Sequence, residues 1–362
     1  MKKIFAILVI LTGFSALPSY CQQVPAIPQR DSINARLAVS DTLQEDIILF
    51  DSDELMEISL KFDITRYKRR RDESEYLDAT LIYYTGPNDS IVKPLKVRPR
   101  GISRLSICDF PPLMLNFKKK DSIESEFSRI DKIKMVTHCS AGGEENLLKE
   151  FLIYKIYNIL TEYSFRVRLV RVNYINTSKE SKPVKEFAFL IEPVETLGRR
   201  TNSEEVKSAN VTQKHIRSEI MDRMAIFNYM IGNTDWSVPI RHNTLVMAAS
   251  QFLGLESGII IPYDFDYSGL VNTNYAVPFD GLGLESVRER RYLGVCRTEE
   301  QYRNALQIFQ EKKEDIYKLI NEFTYLDAKT KKEMISYLEG FFRGFDKRDT
   351  NVNLLLKDCI KF

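Results

Sequence analysis

The chain has 362 residues, 44% of them hydrophobic and 28% charged, with a formal net charge of +2. That is the composition of a globular protein with apolar mass for a large core, and the length suits one large domain or two lobes. A balance this close to neutral argues against nucleic acid or an acidic membrane surface as the partner.

Lys2 and Lys3 precede an apolar run, Ile4 to Leu17, that is too short to span a bilayer comfortably. Ser19 and Cys21 then place small residues at −3 and −1 of a cut before Gln22. Residues 1–21 are therefore expected to be a signal peptide and 22–45 a polar tether. The mature protein is expected outside the cytoplasm, periplasmic or secreted. Tyr20 is too bulky for the small residue that usually precedes a lipidated cysteine, so an anchor on Cys21 is not expected. No later stretch is long and apolar enough to cross a membrane. Cys108, Cys139, Cys296 and Cys359 remain, an even number that suits disulfides in an exported protein. Three pairings are open, Cys108–Cys139 being the most local, and free buried thiols are the alternative. With three His and no CxxC pair there is no zinc-ligand cluster.

Strand patterns begin after Ile47. Residues 58–64 alternate apolar and polar, 79–84 follow, Gly86-Pro87-Asn88-Asp89 is turn chemistry, and 95–100 and 113–117 add two strands. Between Tyr67 and Asp78 the charges predict a solvated loop. Leu147 to Leu160 carries apolar residues at helical spacing. Residues 166–174 and 187–192 read as a hairpin, and 216–231 as a long helix stopped by Gly232. Residues 245–247 and 258–261 are short strands, and 299–345 is mostly helical.

Directly after the long helix comes Gly232-Asn233-Thr234-Asp235-Trp236, then Arg241-His242-Asn243, then Ile261-Pro262-Tyr263-Asp264-Phe265-Asp266. Two acidic centres and an amide thus sit on two short elements joined by a hairpin-length connection. Phosphoryl transfer uses such a set: one carboxylate orients the attacking hydroxyl, and an Asn and a second Asp hold Mg²⁺ against the phosphates. Asp264 and Asp266 are two apart, so both face one side if the extended backbone continues. The bland alternative is that Asp235 and Asn243 are turn residues and that Asp264 and Asp266 cap a turn into Ser268-Gly269. His242 is expected to order the loop, Trp236 to anchor it by packing, and Arg288-Glu289-Arg290-Arg291 to be a charged surface.

From about Ile47 to Ala276 these motifs resemble the spore-coat-protein-H-like (CotH-like) family of atypical secreted kinases and, more distantly, the HipA-like kinases. Gly232, Asn233, Asp235, Asn243, Asp264, Phe265 and Asp266 carry the likeness, with the turn Arg98-Pro99-Arg100-Gly101-Ile102-Ser103-Arg104 upstream and the strand 187–192 before the hinge. The chain is also similar to a group of exported bacterial proteins sharing Cys108-Asp109-Phe110-Pro111-Pro112. The resemblance implies an α+β, two-lobed protein-kinase-like fold, with a β-rich N-lobe over 46–194 containing one helix and a mainly helical C-lobe over 195–362. It implies ATP with Mg²⁺ or Mn²⁺, Asp235 as catalytic base, Asn243 and Asp264 on the metal, and Asp266 assisting. Arg100 and Glu150 are the candidates for the cofactor-binding cation and its helix carboxylate, although the helical wheel sets Glu150 opposite the main apolar face. Two departures stand out. The family's lysine-bearing strand is here Phe110-Pro111-Pro112-Leu113-Met114, without lysine, and Ser237 to His242 lengthen the Asp-to-Asn spacing. The expected function is an exported phosphotransferase acting on a protein, glycan or small molecule, as a monomer. The alternatives are an inactive binding module on the same fold, or nucleotidyl transfer.

Overall fold

In the computed structural model, residues 47–69, 71, 73–86, 88–117, 125–207, 210–249, 254–346 and 350–361 are described. The expected signal peptide and tether lie outside them, as do Lys118 to Lys120. Ile47–Phe362 form one compact unit.

Seven strands close a barrel: β1 (Met56–Phe62), β2 (Leu77–Tyr84), β3 (Ser90–Pro99), β4 (Leu113–Phe117), β5 (Lys132–Val136), β6 (Val167–Asn176) and β7 (Val184–Ile191). The order is β1-β2-β3-β4-β5-β7-β6, and β6 returns parallel to β1 to close it. The expected β-rich segment is thus a barrel without free edges, which removes the unpaired backbone groups an open sheet would expose. Alternation fills the inside: Ile58, Leu60 and Phe62 from β1, Leu95 and Val97 from β3, Leu113 and Leu115 from β4, and Ile133 and Met135 from β5 share one core.

β6 and β7 are buried on both faces. Val170, Val172, Ala188 and Leu190 point into the barrel, while Leu169, Phe187, Phe189 and Ile191 join the second core. That second core is built on α3 (Glu144–Leu160), so two strands bind the barrel to the helical part. Helices α1 (Ile64–Arg69) and α2 (Ser103–Ile107) are short insertions between strands. Tyr67 on α1 is buried, so the charged run after β1 begins as a helix and not as a loop.

After α4 (Val194–Arg200) and the two-residue β8 (Glu204–Glu205) comes α5 (Ser218–Ile231). The hairpin β9 (Thr244–Ala248) and β10 (Gly258–Pro262) then pairs antiparallel, Thr244 opposite Pro262. The tail is four helices: α6 (Glu299–Glu311), α7 (Lys313–Glu322), α8 (Ala328–Asp346) and α9 (Thr350–Asp358). Both disulfides form, Cys108–Cys139 and Cys296–Cys359. Among the described residues no helix is long and apolar enough to cross a membrane.

Candidate active site

The loop after α5 is built from its own hydrogen bonds. Gly232 ends the helix in the left-handed region (φ 67°), where a Cβ would meet the Tyr337 hydroxyl at 2.0 Å. Asn233 donates its N–H to the Asn228 carbonyl (2.8 Å) and its amide to the Asn228 side chain (2.8 Å). The Asn233 amide oxygen in turn accepts the Asp235 N–H at 3.0 Å. Asp235 is thereby fixed relative to the helix end. The lengthened stretch from Ser237 to His242 is a tight hairpin, closed by two backbone bonds of 2.9 Å between its ends. Closure returns His242 and Asn243 to Asp235. His242 Nε2 lies 2.7 Å from Asp235 Oδ1, and the Asn243 amide donates to Asp235 Oδ2 at 2.9 Å. Trp236 and Val238 are buried beneath, as the packing role expected for Trp236 requires.

Asn243 and Asp264 flank the same end of the β9–β10 hairpin, because the Tyr263 N–H donates to the Asn243 carbonyl (3.0 Å). The backbone does not stay extended past β10: Asp264 adopts a left-handed conformation (φ 63°), with its N–H on the Tyr154 hydroxyl at 2.9 Å. Both carboxylates nevertheless reach one guanidinium. Arg104 Nε donates to Asp266 Oδ2 (2.9 Å), and its Nη2 to Asp264 Oδ1 (3.0 Å) and Glu150 Oε2 (2.8 Å). Tyr275 adds a hydroxyl donor to Asp266 at 2.8 Å.

Glu150 therefore lies inside, not on a solvated face. The middle of α3 is enclosed all round, Leu148 through Tyr154 being buried. Its pairing cation is Arg104, and Arg100 lines the same cavity. Three carboxylates against one guanidinium set the local electrostatics. Burial pushes the Glu150 carboxyl up against the pull of Arg104. Burial and then the Asp266 charge raise Asp264. Burial acts to raise Asp266 as well, but its bonds from Arg104 and Tyr275 hold it below the usual range. The carboxylates lift Arg104 well above its ordinary value although burial opposes them.

A cavity opens between α2, β5, α3 and Tyr263-Asp264. Arg100, Arg104 and Lys134 give it a cationic wall, and Val136, Phe165 and Ile191 an apolar one. The space enclosed is about 30 Å³, room for one water. Lys134 stands 5.4 Å from the Tyr263 ring centroid, and burial, then Arg100, bring its pKa down to about 8. This lysine lies on the strand that leads into α3. It escapes the sequence because β5 is five residues long, and alternation with buried Ile133 and Met135 was its only signal. Arg104 escapes as well, on a five-residue helix without periodicity, and its partners lie 46 to 162 residues away.

The two clusters remain separate in their bonding. Asn243 turns its amide to Asp235, and Glu150, Asp264 and Asp266 group around Arg104. Tyr267 lies within electrostatic reach of Asp235, Asp264 and Asp266. The basic run expected on the surface braces the site from behind. Arg290 donates to the Met230 (3.0 Å) and Tyr337 (2.6 Å) carbonyls and Arg288 to the Gly269 carbonyl (2.9 Å), both stacked on the Tyr337 ring.

No protein-family model matches the chain, and no curated protein matches it. Among solved structures, the crystal structure of a Helicobacter pylori proinflammatory kinase CtkA is similar at 11% identity. The match covers 68% of this chain and 94% of that one, with a TM-score of 0.38. The likeness is to a kinase, and it is too distant to carry an argument.

Proposed function

We propose that the chain is an exported kinase-like phosphotransferase that uses ATP with Mg²⁺ or Mn²⁺ on an extracytoplasmic protein, glycan or small molecule. The supporting observation is the β9–β10 hairpin end, which carries Asp235 with Asn243 on one side and Asp264 with Asp266 on the other. Asp235 is the base: its carboxylate is oriented through Asn243, its side chain keeps 33% of its surface exposed, and it would accept the proton of an acceptor hydroxyl. Asp264 and Asp266, with the Asn243 amide oxygen, would hold the metal. The donor set suits a hard divalent ion, being oxygen throughout. Bound there, the metal would neutralise phosphate charge. Were the cavity, which here has room for one water, to widen around a nucleotide, Lys134 and Arg100 would face its phosphates and Val136, Phe165 and Ile191 its base. The two disulfides support the expectation of export.

A second reading is a binding module with no transfer activity. The small cavity, with room for one water, and the guanidinium among the carboxylates favour it.

Thermal melts with ATP and Mn²⁺ separate them. The phosphotransferase requires a rise in melting temperature that Asp264→Ala abolishes. It also requires labelled phosphate to reach an acceptor in the wild type and not in Asp235→Ala, with nucleotide binding kept. No shift at millimolar ATP leaves the binding module, and transfer of AMP in place of phosphate means nucleotidyl transfer.

A further inference from the structure

Three carboxylates meet at the end of β10. Glu150, Asp264 and Asp266 each offer an oxygen, and these oxygens all lie within 4.8 Å of one another. One divalent ion bound through oxygens at about 2.0–2.6 Å can bridge such a span. Glu150 adds an independent sign. Its Oε2 is taken by Arg104, but its Oε1 is buried with no hydrogen-bond partner among the described residues. A buried carboxylate oxygen left unmatched costs stability unless a cation or donor meets it. One guanidinium does not match three carboxylates; a divalent ion matches them better.

Arg104 stands where that ion would stand. It bonds all three carboxylates at 2.8 to 3.0 Å, and its side chain is 7% exposed. Its mounting is held from outside. Cys108, next after α2, is bonded to Cys139, and the Phe110 N–H donates to the Cys139 carbonyl at 2.8 Å. The Arg71 guanidinium accepts nothing but donates to the Leu105 (2.7 Å) and Ser106 (3.0 Å) carbonyls at the end of α2. The other end starts at Gly101, in the left-handed region (φ 102°), next to Ile102, which is 94% exposed. The short helix is therefore anchored behind Arg104 and open to solvent ahead of it.

We propose that Glu150, Asp264 and Asp266 form a divalent-cation site, and that Arg104 is its built-in competitor, occupying the cation's place in this conformation. The proposal rests on the phosphotransferase reading for what the metal does, but its test needs no nucleotide. Glu150 is thereby a metal ligand as well as the partner of Arg104. Metal and guanidinium exclude each other, and in the chain without bound metal Arg104 offsets part of the charge of the three carboxylates.

The probe is MnCl₂ alone, titrated calorimetrically into the full mature chain at neutral pH. Arg104→Met removes the charge and keeps much of the volume. It is expected to bind Mn²⁺ about tenfold or more tightly than the wild type, on the scale that ligand charge sets for such sites. Adding Glu150→Gln to Arg104→Met is expected to cancel that gain. If Arg104→Met does not fold, Arg104→Gln, which removes the charge, keeps a polar head group and leaves all three carboxylates in place, is compared with the wild type instead. Equal Mn²⁺ affinity with and without Arg104, or a gain that survives Glu150→Gln, overturns the proposal. Absence of ATP binding by the wild type would sink the phosphotransferase and leave this result standing.

Discussion

The side-chain amide of Asn243 holds both the carboxylate and the backbone carbonyl of Asp235, each at 2.9 Å. The contact ties the candidate base to the first residue before β9, so its orientation is set by the hairpin and not by the flexible side chain alone. Asp235→Asn is expected to lower phosphate transfer by about 10²–10⁴-fold, the usual contribution of a general base. The melting temperature and nucleotide affinity are expected to stay close to the wild type. Asn243→Ala releases the carboxylate and is expected to lower transfer too. Single-turnover transfer assays beside nucleotide titrations check both; normal transfer in Asp235→Asn would remove the residue from the chemistry.

Lys134 is the cationic side chain that β5 brings to the cavity wall. Lys134→Met keeps the stem that lies along Tyr263 and deletes the charge. It is expected to weaken ATP binding by about tenfold, near 1.4 kcal/mol, and to affect adenosine little. Titration of both ligands into both proteins reads the difference. Equal losses for ATP and adenosine would mean a packing role.

His138 is buried and stacked on Phe110, with ring centroids 5.1 Å apart. Burial, with Lys68 acting against Glu144, brings its pKa down to about 4 from 6.5. Between those values the unfolded chain binds the proton and the folded chain does not, so stability falls as pH drops from 6.5 towards 4. The full difference is about 3 kcal/mol. His138→Phe keeps a stacked ring, and its urea midpoint is expected to fall less steeply over that range. Parallel slopes for the two proteins would place the acid sensitivity elsewhere.

The Cys108–Cys139 bond closes a span of 31 residues and Cys296–Cys359 one of 63. On the chain-entropy account these contribute about 3.7 and 4.3 kcal/mol. Cys108→Ser with Cys139→Ser also frees the end of α2, so it is expected to lower stability and to loosen Arg104. Denaturation with and without reductant measures the first effect. A wild-type unfolding midpoint indifferent to reductant would mean that neither bond forms in solution.

Local signals carried much of the fold. Gly232 stopped the long helix where expected, and the helix Leu147 to Leu160 was visible from its apolar spacing, its observed start lying three residues earlier. β6 was legible from its largely alternating pattern, with β7 as its hairpin partner, although each strand contributes to both cores. Barrel closure was not, since nothing local in β1 records a parallel partner more than 100 residues away. The same distance hid Arg104. Its neighbours Arg98 and Arg100 look alike in sequence, and nothing local marks Arg104 as the one that meets Glu150, Asp264 and Asp266. Asp264 and Asp266 both reach Arg104, through a left-handed turn at Asp264 and not by continued extension.

Tyr337 lies on α8, far along the chain, and its hydroxyl fills the space that side chains at Gly232 and Gly269 would need. Both loops bearing the candidate acids are thus moulded against one phenol from near the C-terminus. The chain consequently cannot be trimmed to the portion in which the motifs occur. A fragment ending near Ala276 would keep every acid named above and lose the surface that gives them their positions.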